Sequence, residues 1–177
     1  ISEEKTDELN NSLLLNRSIL ECVGEGIYGL DLGGNSTFIN QNAADMLGYT
    51  KEELIGKGMH KNHHHHKLDG TEYPISECPI YAPLTTGIAH TITNEVFWHK
   101  DGTSFPVEYT SAPLYTDGKL NGAVVVFRDI SERKLSEKKT IESEEKYRSL
   151  VDEVNDGFYI LDNQGTFIFS NNALAKI

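Results

Sequence analysis

A chain of 177 residues with 38% hydrophobic content can hold one domain core of ordinary size and a remainder. Its 27 acidic against 16 basic residues give a formal charge of −11, which argues against a nucleic-acid or anionic-membrane surface on this segment. The longest unbroken apolar run, Ala123 to Phe127, is far too short to span a bilayer, and Cys22 and Cys78 make no disulfide framework, so a reducing, cytoplasmic setting is expected. No signal peptide is visible, and a longer parent anchored through other segments stays compatible with this reading.

Residues 3–23 place charged and apolar positions at helical spacing, with Leu9, Leu13, Leu14, Leu20 and Val23 apolar and Gly24 as the stop. Residues 27–32 read as a strand, 33–35 as a tight turn and 37–40 as the returning strand. Two short helices are expected at 42–47 and 51–55, the second opening behind Thr50 with Glu53 three residues on, a capping box. A further helix is expected at 76–86, capped by Ser76 and stopped by Gly87. Strands follow at 91–100, 104–115 and 122–129, with Asp101-Gly102 and Asp117-Gly118 as hairpin turns. Val124 to Phe127 do not alternate, which predicts a strand covered on both faces. From Ser131 the text turns to Glu, Lys and Arg with Leu135, Ile141 and Val154, a solvated helix. Two strands, short helices and a three-stranded meander make an α+β domain: one five-stranded antiparallel sheet with short helices on one face, an N-terminal flanking helix and a C-terminal linker helix.

The chain also repeats itself. Residues 17–31, ending Gly-Ile-Tyr-Gly-Leu-Asp, return 131 positions later as residues 148–162, ending Gly-Phe-Tyr-Ile-Leu-Asp. The likeness continues, with a one-residue slip, from residues 36–43 to 166–173. So long a period marks tandem domains rather than a repeat array, whose units run to about 20–50 residues. The expected division is a helical flank at 1–12, a domain at 13–131, a helical linker at 132–146 and the opening quarter of a second domain at 147–177.

Gly26-Ile27-Tyr28-Gly29-Leu30-Asp31, Asn40-Gln41-Asn42-Ala43-Ala44, the block from Leu47 to Gly56, Lys100-Asp101-Gly102-Thr103 and Arg128-Asp129-Ile130-Ser131-Glu132-Arg133-Lys134 resemble, in order and spacing, the PAS sensor family. The resemblance covers 14–134 and resumes at 145. It implies a sensory and regulatory module of a signal-transduction protein, with a two-component sensor histidine kinase as the expected parent. Such a module binds a small ligand or a partner and passes the signal through its linker helix.

Asp129, Ile130 and Ser131 stand where the family's relay motif stands. Ser131 can cap the outgoing helix, and Asp129 can bond the same turn. The expected pocket lining is Phe38, Met46, Ile80, Tyr81, Leu84, Ile92, Val96, Trp98, Val107 and Val125, residues that equally make plain core. Apolar positions on the N-terminal and linker helices point to a homodimer, and a purely structural dimerisation module is a further reading.

The histidines are the oddest local feature: His60, then His63 to His66, with Cys78-Pro79 further on. On a helix, His60 and His64 share a face, as do His63 and His66, so a metal site from His60, His63, His64, His66 and Cys78 is one reading, with Cys78 also a possible haem ligand. The spacing fits no zinc-finger, zincin or c-type haem pattern. A solvated histidine loop is the expectation, and a proton-sensitive patch the third reading. The flavin-photoreceptor block Asn-Cys-Arg-Phe is absent, although Trp98 could line a flavin pocket. The expectation is therefore no cofactor, with haem, flavin or metal as alternatives. No phosphate loop, nucleophile elbow or phospho-acceptor histidine setting is present, so any catalytic domain of the parent lies elsewhere.

Overall fold

The computed structural model describes residues 2–153, 156–171 and 173–174, except the side chains of residues 2–7, 9, 10, 17 and 152. The Leu9 side chain and Val154 therefore lie outside the described residues. The chain divides into two compact units, residues 1–131 and 132–177.

In the first unit, helix α1 (Ser2–Cys22) leads into strands β1 (Gly26–Asp31) and β2 (Ser36–Ile39). Short helices α2 (Gln41–Leu47), α3 (Lys51–Leu54), α4 (Met59–His63) and α5 (Ala82–Thr86) follow, then strands β3 (His90–Trp98), β4 (Ser104–Thr116) and β5 (Lys119–Asp129). The sheet runs β2-β1-β5-β4-β3, antiparallel throughout, so the last strand lies at the centre beside the first. Side chains alternate across a strand. One face of the sheet presents Tyr28, Leu30, Ile39, Phe97, Phe105, Val107, Tyr109, Ala123, Val125 and Phe127 to a core that Ala43, Ala44, Leu47, Leu54, Met59 and Ile80 close from the helical side.

Local chemistry sets the joints. The Asn40 side chain caps α2 by accepting from Ala43 N, and the Thr50–Glu53 capping box opens α3. Asp117 and Gly118 both take positive φ, 51° and 73°, which fits the two-residue β4–β5 hairpin to the twist of its strands. Three expectations are corrected. The helix at 76–86 is broken into a 3₁₀ turn, Ile75–Glu77, and α5, because Cys78-Pro79 interrupts the run and Pro83 can sit only in a helix's first turn. On β5, Val125 and Phe127 are buried while Val124 and Val126 are half-exposed, so one face of the strand is less covered than the apolar run implied. The histidine segment is no solvated loop: α4 carries His60 and His63 inward and His64 follows at its C-cap, leaving them 7%, 0% and 1% exposed.

The second unit consists of α6 (Ser131–Asp152, its first residue belonging to unit one) and a hairpin of β6 (Tyr159–Leu161) and β7 (Phe167–Ser170). Its bonding repeats that of β1 and β2 at a constant 131-residue offset. Asn40 Oδ1 accepts from Ile27 N and Ala43 N, and its Nδ2 donates to the carbonyls of Leu20 and Glu25. Asn171 does the same with Phe158 N, Leu174 N and the carbonyls of Val151 and Asp156. The pairs Tyr28↔Ile39 and Tyr159↔Ser170 match, as do Leu30↔Ser36 and Leu161↔Phe167 across the same irregularity. The one-residue slip read from the sequence is therefore not structural. Asn40 corresponds to Asn171, and the repeat keeps register.

Candidate functional site

Between the helices and strands β3 and β4 lies a buried polar cluster. Helix α4 places His60 and His64 one turn apart, and the 3₁₀ turn brings Cys78 up from the other side. His64 Nδ1 is 3.0 Å from Cys78 Sγ, and its Nε2 is 2.8 Å from Glu95 Oε2. The same carboxylate accepts from Tyr109 Oη at 2.7 Å and, on Oε1, from Tyr73 Oη at 2.9 Å. His60 Nε2 lies 2.7 Å from the Tyr73 carbonyl, while its Nδ1 is buried without a partner, a state that costs about 1–3 kcal/mol. His63 turns the other way, where its Nε2 is hydrogen-bonded to Tyr28 Oη at 3.0 Å, and its ring meets Phe97 edge-on at 4.5 Å between centroids.

Burial sets the protonation of these groups. It pushes His63 well below the ordinary imidazole value and lowers His60 too, with the neighbouring histidines adding to the effect. It raises the Tyr28, Tyr73 and Tyr109 hydroxyls, which stay protonated as donors. Burial also works against the Glu95 carboxylate, but the bonds from His64, Tyr109 and Tyr73 outweigh it and hold the group below its usual value. Cys78, His64 and Glu95 stand in the order of nucleophile, base and orienter. Burial nevertheless pushes the thiol up to about 12 and leaves Cys78 only 3% exposed, so Sγ is neither ionised nor reachable by a substrate.

Of the lining expected from the sequence, Ile80, Val107 and Val125 belong to the core, with Met46, Tyr81, Leu84 and Ile92 packed against it. Phe38 pairs with Gly29, whose neighbours Tyr28 and Leu30 point inward, so Phe38 lies on the outer face of the sheet. Val96 pairs with Pro106, opposite in sense to inward Phe97 and Phe105. Trp98 sits near the sheet edge, donating to the His66 carbonyl at 2.8 Å and stacking on His65. The five histidine and cysteine positions also separate: His60, His64 and Cys78 come together, His63 and His66 do not. Glu95, Tyr73, Tyr109 and Tyr28 escaped the sequence reading. The signal available was Glu95, a lone carboxylate in an otherwise uncharged strand (90–98).

At the exit from the sheet, Ile130 is 2% exposed and its N–H donates to the Pro106 carbonyl of β4 at 3.0 Å. Asp129 Oδ1 accepts from Ser131 N at 2.7 Å, so the carboxylate caps the first residue of α6.

Known proteins share this fold. The chain is 27% identical over 136 residues to the signal transduction histidine-protein kinase AtoS of Escherichia coli, covering 77% of this chain and 21% of the kinase. It is 34% identical over 115 residues to the probable diguanylate cyclase DgcE of Escherichia coli, covering 64% of this chain and 10% of the cyclase. The chain thus spans about a fifth and a tenth of these curated relatives. The PAS domain of an HTR-like protein from Haloarcula marismortui superposes with a TM-score of 0.58 at 18% identity, over 72% of this chain and 99% of that one. The PAS domain of a Colwellia psychrerythraea protein gives 0.56 at 24% identity, over 68% and 98%. The family model for the PAS domain matches residues 24–132, from the turn before β1 to the root of α6, and the chain belongs to the PAS domain family.

Proposed function

We propose that this chain is the sensory and regulatory module of a longer signalling protein, most simply a sensor histidine kinase, and that changes inside unit one leave through Asp129, Ile130 and Ser131 into α6. The observation that carries the reading is the root of α6. Buried Ile130 is bonded to β4, and the Asp129 carboxylate at the end of the central strand holds the first helical amide. A shift of β4 against β5 must therefore move the helix start or break those bonds. Similarity to both a kinase and a cyclase supports a module that serves different catalytic outputs, with the catalytic domain elsewhere in the parent. The signal received is a small ligand or partner acting on the interior. The opening of a second PAS domain at 147–177, a cytoplasmic setting and a homodimer through α1 and α6 complete the proposal. Among the described residues no helix is long and apolar enough to cross a membrane.

Hydrogen exchange along α6 tests the relay. Tyr109→Phe removes one donor from Glu95 deep in the interior, and it is expected to change exchange at residues 131–135 as well as in β4. A change confined to the sheet would overturn the relay. Asp129→Ala provides the positive control, accelerating exchange at the same helix start.

A further inference from the structure

His60 Nε2 faces a carbonyl, which can only accept, so that nitrogen carries the proton and Nδ1 keeps the lone pair. The Nε2 of His64 faces a carboxylate, so it too is the N–H, and the Nδ1 lone pair is directed at Cys78 Sγ. Two imidazoles thus have their tautomers fixed from behind, by the Tyr73 carbonyl and by Glu95. Outer-sphere partners of this kind orient metal-ligating histidines. One ligand atom from each of His60, His64 and Cys78 lies within 4.8 Å of the other two, and all three residues are buried. The buried, unpartnered Nδ1 of His60 is the second observation pointing to a ligand.

We propose that His60, His64 and Cys78 bind one thiophilic transition-metal ion of the Zn2+ type, through the two Nδ1 atoms and the Cys78 sulfur. The donor set is two borderline nitrogens and one soft sulfur, which favours zinc or copper over magnesium or calcium. A tetrahedral centre with metal–sulfur about 2.3 Å and metal–nitrogen about 2.05 Å separates sulfur and nitrogen by about 3.6 Å. The His64–Cys78 contact, 3.0 Å as a hydrogen bond, opens by roughly that difference when the ion enters. The ion displaces the thiol proton to solvent, one proton per metal bound, and the sulfur becomes a thiolate ligand with no change of oxidation state. Three protein ligands leave a fourth position for water or a small exogenous donor. Glu95 stays outside the coordination sphere, committed to His64, Tyr73 and Tyr109. The site stands independently of the signalling proposal.

The test uses the whole chain carrying Cys22→Ser, because Cys22 is an exposed second thiol. Chelator-stripped protein is titrated with Zn2+ and Co2+, with Cu+ under anaerobic conditions to distinguish the ion. One equivalent is expected to bind, Co2+ is expected to give a thiolate-to-cobalt charge-transfer band, and one proton is expected to be released per ion. Cys78→Ser, His60→Gln and His64→Gln are each expected to weaken Kd at least about tenfold. The double variant His65→Gln/His66→Gln removes the neighbouring imidazole pair and is expected to leave Kd unchanged. Because Cys78→Ser can perturb folding, the cobalt band of the otherwise native protein decides by itself. Absence of that band at saturating Co2+, or binding lost in the His65/His66 variant, would overturn the site.

Discussion

Glu95 carries more of the interior's polar structure than its place near a sheet edge implies. Three donors converge on it, and hydrogen bonds to a charged acceptor contribute about 1.5–3 kcal/mol each, more than a neutral pair. Glu95→Gln replaces one carboxylate oxygen with an NH2 that cannot accept, so at least one of the three donors loses its acceptor, and it is expected to cost about 2 kcal/mol in urea denaturation. Glu95→Ala is expected to cost more, since His64, Tyr73 and Tyr109 all lose a partner. The buried histidines set a separate pH dependence. Burial depresses His63 and His60 below the ordinary value of 6.5, so the unfolded chain binds more protons than the folded one as pH falls past that value. Their contribution is complete above about pH 6.5 and is lost progressively below it, before the carboxylates titrate. Thermal melts between pH 7 and 5 are expected to show that fall. His63→Gln, which keeps a hydrogen-bonding group opposite Tyr28, is expected to flatten it.

At the scale of elements, α1 is tied down at one end, and residues 11–16, 18 and 19 along it are exposed. Asn40 holds the Leu20 carbonyl and, just beyond the helix, that of Glu25, and Lys51 pairs with Glu21 at 2.5 Å, all at or past its C-terminal end. Leu13 and Leu14 remain 57% and 62% exposed, with Leu15 and Ile19 beside them, more apolar surface than a lone helix keeps in water. Pairing with a second copy is proposed to cover it. Leu13→Glu/Leu14→Glu is expected to shift sedimentation toward monomer while circular dichroism stays unchanged. An unchanged sedimentation coefficient would remove this interface. Asn40 and Asn171 give an internal comparison, since both close the same four-bond lock. Asn40→Ala leaves the buried Ile27 and Ala43 amides without this acceptor and the part-buried Leu20 and Glu25 carbonyls without this donor, and is expected to cost about 3 kcal/mol of unit-one stability, against a local loss of hairpin protection for Asn171→Ala.

At the scale of the whole molecule, the two units differ in what they can bury. Unit one closes a core over a five-stranded sheet. In unit two, Tyr159, Ile160, Leu161, Phe167 and Ile168 are exposed on a two-stranded hairpin, and a sheet of only two strands is marginally stable in water. Amides of β6 and β7 are therefore expected to exchange far faster than those of β1 and β2, despite matching hydrogen bonds. A chain ending at 146 is expected to melt within about 2 °C of the whole protein, and a drop of more than about 5 °C would show that unit one depends on the missing segment.

The sequence by itself determined the features that rest on local chemistry. The Thr50 capping box, the Asp-Gly turns, the meander of β3, β4 and β5, and the recurrence of one hairpin 131 positions on are written in neighbouring residues, and short-range sterics and hydrogen bonds suffice to form them. Only the tertiary structure decided the rest. Phe38 lies outside and Ile92 inside because strand register fixes the face, and register is a pairing between distant strands. The histidine run read as solvated because imidazoles are polar. Burial of His64 is tolerated because Cys78 and Glu95, 14 and 31 residues away in sequence, arrive at its two nitrogens, and long-range convergence of that kind leaves no local mark in the chain.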